Sequence, residues 1–112
     1  MKIYHNPKCK KSREGLNYLR DKNEDIEIIE YLKTPFTEET LATVLMKLNK
    51  PPIDIVRTQE AIYKSDFKGK NFTDEEWIKI LLENPKLIQR PIIEGKYKAV
   101  IGNPLSEIDK LL

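Results

Sequence analysis

The sequence predicts an α/β domain in the order β-α-β, a helical middle, then β-β-α. Three observations carry that expectation. A short strand-like stretch and a second one rich in β-branched residues enclose a helical stretch within residues 2–31, the spacing of parallel strands joined by a crossover helix. Two short apolar runs around Gly95 mark a hairpin near the C-terminus. Between these ends the apolar residues recur at helical rather than alternating intervals.

Lys2-Ile3-Tyr4-His5 reads as the first strand. Pro7 follows, where it removes one N–H and bends the path into a helix. From Lys10 to about Lys22, Leu16 and Leu19 fall on the same face as Ser12. Ile26 to Tyr31 is the second strand. Thr37 is placed to cap the next helix, with Glu38 and Glu39 in its first turn, where negative charge suits the dipole. Leu41, Val44, Leu45 and Leu48 make its apolar face, and Lys50-Pro51-Pro52 stops it. Ile53 to Tyr63 is expected to be helical, with Ile55, Val56, Ala61 and Ile62 apolar. Ser65 to Lys70 is expected to be a polar loop with Lys68 and Lys70 solvated. Thr73 and Glu76 match a capping box, opening a helix to about Glu83 with Trp77, Ile80 and Leu81 inward. Pro85 closes it. Pro91 to Ile101 is the hairpin. Asn103 then reads as a cap with Pro104 at the first helical position. The last helix carries Leu105, Ile108, Leu111 and Leu112.

The chain has 112 residues, enough for one core, and is 39% hydrophobic and 34% charged, the make-up of a soluble globular domain. Twenty basic against 18 acidic residues is too even a balance to predict nucleic-acid binding. No apolar run approaches the ~18 residues of a membrane span. Met1 to Pro7 has no apolar core of a signal peptide. With one cysteine there is no internal disulfide, so a reducing, cytoplasmic setting is expected. One cysteine and one histidine are too few for a Cys/His zinc site, so no metal is expected.

That cysteine, Cys9, carries the functional expectation. It stands between the first strand and the first helix, facing free backbone N–H groups that favour thiolate over thiol. Lys8, Lys10, Lys11 and Arg13 add positive charge. A lone cysteine is most often a small buried hydrophobe, a role its lysine neighbours fit badly. Ser12, one turn on, is placed to donate to the sulfur or simply to fill the first turn. His5 is either a charge neighbour of the thiol or a strand-end side chain. Trp77 reads as packing.

Four stretches, in order along nearly the whole chain, resemble the ArsC-like arsenate reductases that work with glutathione and glutaredoxin. They are Ile3 to Cys9 ending in Cys-x-x-Ser at Ser12, Tyr31-Leu32-Lys33-Thr34-Pro35, Arg57 ahead of Tyr63, and Asn84-Pro85 through Leu87 to Ile92. The resemblance implies a thioredoxin-like fold as a single domain, with a core of about 1–35 and 86–112 and a helical insertion of about 36–85. It implies that Cys9 is the catalytic nucleophile on an oxyanion or thiol substrate. Arg57 and Arg90, ordinary surface arginines on composition alone, become oxyanion-binding residues, and Pro91 a cis proline. His5, Ser12 and Asn103 are expected to support the site. No cofactor is bound; glutathione is the thiol co-substrate, glutaredoxin the partner, and the protein is expected to be a monomer that binds neither nucleic acid nor membrane.

The sequence departs from the family at two places. Asn103 stands where the family has a third arginine, so the charge and the forked donor geometry are lost. Lys10 and Lys11 replace the small neutral pair usual after the cysteine. Two alternatives stay open. One is a glutathione-dependent reductase of a different substrate. The other is an Spx-type regulator that binds RNA polymerase, although those usually carry Cys-x-x-Cys and this chain has Ser12 at the second position.

Overall fold

The computed structural model describes residues 1–22 and 25–112. They form two compact units, Met1–Thr34 with Arg90–Leu112, and Pro35–Gln89.

The first unit is built on a four-stranded sheet. Its strands are β1 (Lys2–Tyr4), β2 (Glu27–Ile29), β3 (Ile92–Glu94) and β4 (Ala99–Ile101), in the order β2-β1-β3-β4. β1 runs parallel to β2, which it reaches through helix α1 (Lys10–Asp21). β3 is antiparallel to both β1 and β4. Register decides what each face carries. Ile3, Ile93 and Val100 are aligned across the sheet and pack with Leu16 and Leu19 of α1 and with Ile108 to make the buried core. The opposite face carries Tyr4, Ile92 and Glu94. There the Tyr4 hydroxyl donates to Glu94 Oε1 at 2.7 Å, a diagonal cross-strand pair. Burial, then this carboxylate, hold the Tyr4 phenol far above its ordinary value.

The C-terminal helix is a 3₁₀ helix, Leu105–Leu111. The spacing of Leu105, Ile108 and Leu111 explains it. Three-residue intervals line up on one edge of a 3.0-residue turn and would drift around an α-helix. Asn103 is not its cap. Pro104 holds the cap position in an extended conformation, no side chain caps the helix, and the Asn103–Pro104 bond is cis.

The second unit carries α2 (Glu38–Leu48) and α3 (Asp74–Glu83). Both begin in capping boxes, at Thr37 with Thr40 and at Thr73 with Glu76, each cap worth about 1 kcal/mol. Asn49 ends α2 in the left-handed region at φ 56. Leu41, Val44, Leu45 and Leu48 are buried on one face of α2. Trp77 and Leu81 are buried on α3, with Ile80 half-buried. Trp77 packs its ring against Phe72 at 5.0 Å.

The expected helix from Ile53 to Tyr63 does not form as one piece. Pro52–Ile55 make a short 3₁₀ turn, then the chain extends. Val56 pairs with Ile88 in an antiparallel bridge, flanked by Arg57 N–H to Leu87 O at 2.7 Å and Gln89 N–H to Ile55 O at 2.8 Å. Val56 is buried, and a β-branched residue fits an extended bridge better than a helix face. The expected loop from Ser65 also begins later. Tyr63–Phe67 form a wide turn in which the Lys68 N–H bonds Tyr63 O five residues back.

Candidate active site

Cys9 is held where β1 turns into α1. The turn is tied at both ends by backbone bonds, His5 N–H to Ile29 O at 2.8 Å and Cys9 N–H to Asn6 O at 3.0 Å. Asn6 Oδ1 accepts from the Lys8 N–H at 3.1 Å, an Asx turn that shapes the loop. Cys9 is the N-cap residue of α1, with its carbonyl accepting from the Arg13 N–H at 3.0 Å. Its sulfur makes no cap hydrogen bond of full geometry, and the side chain is half-buried.

Several groups act on that sulfur. Burial is the largest and opposes ionisation. Against it work a hydrogen bond from the Arg90 side chain, the Ser12 backbone N–H, the positive charge of Arg90, and the Lys11 backbone N–H. Together they outweigh burial and hold the Cys9 thiol below its ordinary value. The cation in contact is therefore Arg90, not the lysines beside Cys9 in sequence. Lys8, Lys10 and Lys11 are exposed.

Arg90 stands just ahead of β3, the strand that pairs with β1. The Arg90–Pro91 bond is cis, and Pro91 is buried. The Gly102 N–H donates to Pro91 O at 2.8 Å. Two glycines make room for the ring. A Cβ at Gly15 of α1 would stand 2.8 Å from Pro91 Cγ, and one at Gly102 would stand 3.1 Å from that carbon and 2.7 Å from Ile93 Cδ1. Sequence reasoning overlooked both glycines. Gly15 had left a trace: glycine inside a helical pattern is about 1 kcal/mol less favourable than alanine, so a packing reason was to be sought.

Ser12 and His5 are fully or nearly buried beneath the loop. Ser12 Oγ accepts from the Asn6 N–H at 3.0 Å and shares a 2.7 Å hydrogen bond with His5 Nδ1. The hydroxyl thus braces the loop, and only the backbone N–H of Ser12 favours the thiolate. His5 is not among the groups that act on the sulfur. Burial lowers its pKa most, and the charges of Arg20 and Arg13 act the same way, against Glu30 and a Ser12 backbone hydrogen bond. The sign follows. A histidine kept neutral when folded binds its proton more readily when unfolded. His5 therefore leaves stability intact above about pH 6.5 and erodes it as pH falls from there through its lowered folded value. We expect the urea midpoint to fall between pH 7 and 5 in the native protein and to fall less in His5→Asn. Equal slopes would show that another group is responsible.

Arg90 Nε is buried and has no hydrogen-bond partner among the described residues. Arg57, in the second unit, shows the same orphaned, buried Nε. Asn103 is exposed. Among the described residues no group of three or more His, Cys, Asp or Glu is placed to hold a metal ion, and no helix is long and apolar enough to cross a membrane.

The model of the ArsC family matches residues 4–111. An uncharacterised Escherichia coli protein, YfgD, is 37% identical over 110 residues, covering 96% of this chain and 92% of its own. An arsenate reductase of Neisseria meningitidis serogroup B is 31% identical, covering 100% of this chain and 97% of its own. The solved structure of an arsenate reductase from Vibrio cholerae superposes with a TM-score of 0.92 at 33% identity, covering 100% of this chain and 98% of that one.

Proposed function

The chain belongs to the ArsC family of the thioredoxin-like superfamily, and from that premise we propose that it is a glutathione-dependent oxyanion reductase with Cys9 as nucleophile. One observation carries the reading. Arg90 touches the Cys9 sulfur and lowers its pKa, while its buried Nε has no partner. A guanidinium in that position favours the thiolate and keeps a donor for an incoming oxyanion. A buried donor left unsatisfied is unfavourable by about 1–3 kcal/mol, which binding of an anion would recover. The family resemblance assigns Arg57 to oxyanion binding as well, and its own Nε is buried without a hydrogen-bond partner among the described residues.

Arsenate is the first substrate to test, since relatives over the full length are arsenate reductases. The Cys9 thiolate displaces an oxygen from arsenic as water and forms an S–As bond. Overall, one arsenate and two thiols give arsenite, a disulfide and water. Cys9 is the chain's one cysteine and is regenerated, so both electrons come from outside thiols. Glutathione supplies the first and glutaredoxin completes the exchange.

The test is arsenate turnover with glutathione and glutaredoxin in the native protein and in Asn103→Arg. Turnover by the native protein supports arsenate as the substrate. Turnover only by the variant, with a lower KM, would show that the missing charge limits arsenate and that the native substrate is a different oxyanion. Activity that survives Cys9→Ser would overturn the thiol mechanism.

A further inference from the structure

Lys8, Lys10, Lys11 and Arg13 crowd around Cys9 in the chain, no acidic residue precedes Glu14, and all four cations are exposed. Their side-chain charges are not among the influences on the thiol, which are burial, Arg90 and two backbone N–H groups. Nor are they consumed in ion pairs. Lys10 meets Glu14 at 3.9 Å with its own side chain 83% exposed, a contact worth little in water. Arg13 donates to the Pro7 carbonyl at 2.9 Å and makes no ion pair among the described residues. Lys8 and Lys11 make no ion pair among the described residues.

We propose that this basic rim docks the acidic face of a protein thiol reductant that releases the adduct on Cys9. The inference rests on the reading of Cys9 as nucleophile. Half-buried Arg90 provides the charge that the chemistry uses, so the rim adds nothing to the sulfur. Charges in water act instead at ranges of about 8 Å on the encounter with another charged surface. A small neutral thiol gains little from such a field, whereas an acidic protein surface is steered by it. The step served is thiol–disulfide exchange. The partner's thiolate attacks the outer sulfur of a Cys9 mixed disulfide, one S–S bond forms as the other breaks, and Cys9 leaves as thiolate with no net change in electrons.

The experiment starts from the Cys9–glutathione mixed disulfide of the whole protein. Its reduction is timed with a glutaredoxin of acidic surface and, separately, with dithiothreitol, across a range of salt. The native protein is compared with Lys8→Gln/Lys10→Gln. We expect the glutaredoxin rate constant of the variant to be about 3–10-fold lower at low ionic strength and to converge with the native value at high salt. Dithiothreitol reduction and iodoacetamide alkylation should be the same in both proteins. Equal glutaredoxin rates at low salt would overturn the docking surface. Failure of Cys9 to form the mixed disulfide would instead overturn the nucleophile reading beneath it.

Discussion

Arg90→Leu is expected to lower turnover by about 10²–10³-fold, the usual loss when one donor to a developing oxyanion is removed. It should also raise the pH midpoint of Cys9 alkylation. The two effects share one cause. Burial pushes the Cys9 thiol up, and the Arg90 hydrogen bond and charge are two of the influences that reverse it. Leucine leaves the burial and removes both. Because the folded pKa is depressed, the thiolate's contribution to stability is full above the free-thiol value of about 8.5 and is lost as pH falls through the folded value. In Arg90→Leu that alkaline gain should shrink. Iodoacetamide rates against pH, with urea midpoints at pH 6 and 9, measure both. An unchanged alkylation midpoint would show that the helix N–H groups suffice and that Arg90 has no hold on the sulfur. Arg90→Lys distinguishes charge from fork. A lysine keeps the charge but not the planar array of donors, so it should restore part of the midpoint and little of the turnover.

The sequence made the β-α-β and β-β-α ends legible because their signals are local. β-Branched runs, a Gly-containing turn and capping residues each act within a few positions, and the strands and α1 formed where those residues stood. The capping boxes at Thr37 and Thr73 are the same kind of signal. What misled was a segment whose partner is distant in the chain. Val56 is extended because Ile88 is available to pair with it, and no pattern within 53–63 announces that. The C-terminal helix was legible as a helix but not as 3₁₀, although its three-residue apolar spacing was in view. At the candidate site, Cys9 drew notice from its place at a helix start, where the structure has it as the N-cap of α1. The acting cation was not the sequence neighbour, because 81 positions separate Arg90 from Cys9 in the numbering and the pairing of β3 with β1 closes that distance. Family resemblance pointed to Arg90 and Pro91; charge counting alone pointed to the lysines.

Gly15→Ala is the second substitution with a large expected effect, and two opposing magnitudes decide its sign. Within a helix, alanine is favoured over glycine by about 1 kcal/mol. Here the new Cβ would stand 2.8 Å from Pro91 Cγ. Forcing an extra carbon into a packed site costs about 1–3 kcal/mol. The proline ring has little room to retreat, since the backbone of Gly102 approaches from another side, close enough that a Cβ there would stand 3.1 Å from the same carbon. Overpacking therefore wins, and we expect a net loss of up to about 2 kcal/mol in urea unfolding. The same displacement moves Arg90 with Pro91, so the Cys9 alkylation midpoint should rise as well. Gly69→Ala is the control. Gly69 has φ 78, and a Cβ there would meet nothing within 4 Å, so its loss is one of backbone conformation, about 1–2 kcal/mol. Both variants should lose comparable stability, but only Gly15→Ala should shift the thiol. If Gly15→Ala were more stable than the native protein, or left the alkylation midpoint in place, close packing on Pro91 would not be what sets Arg90 against the sulfur.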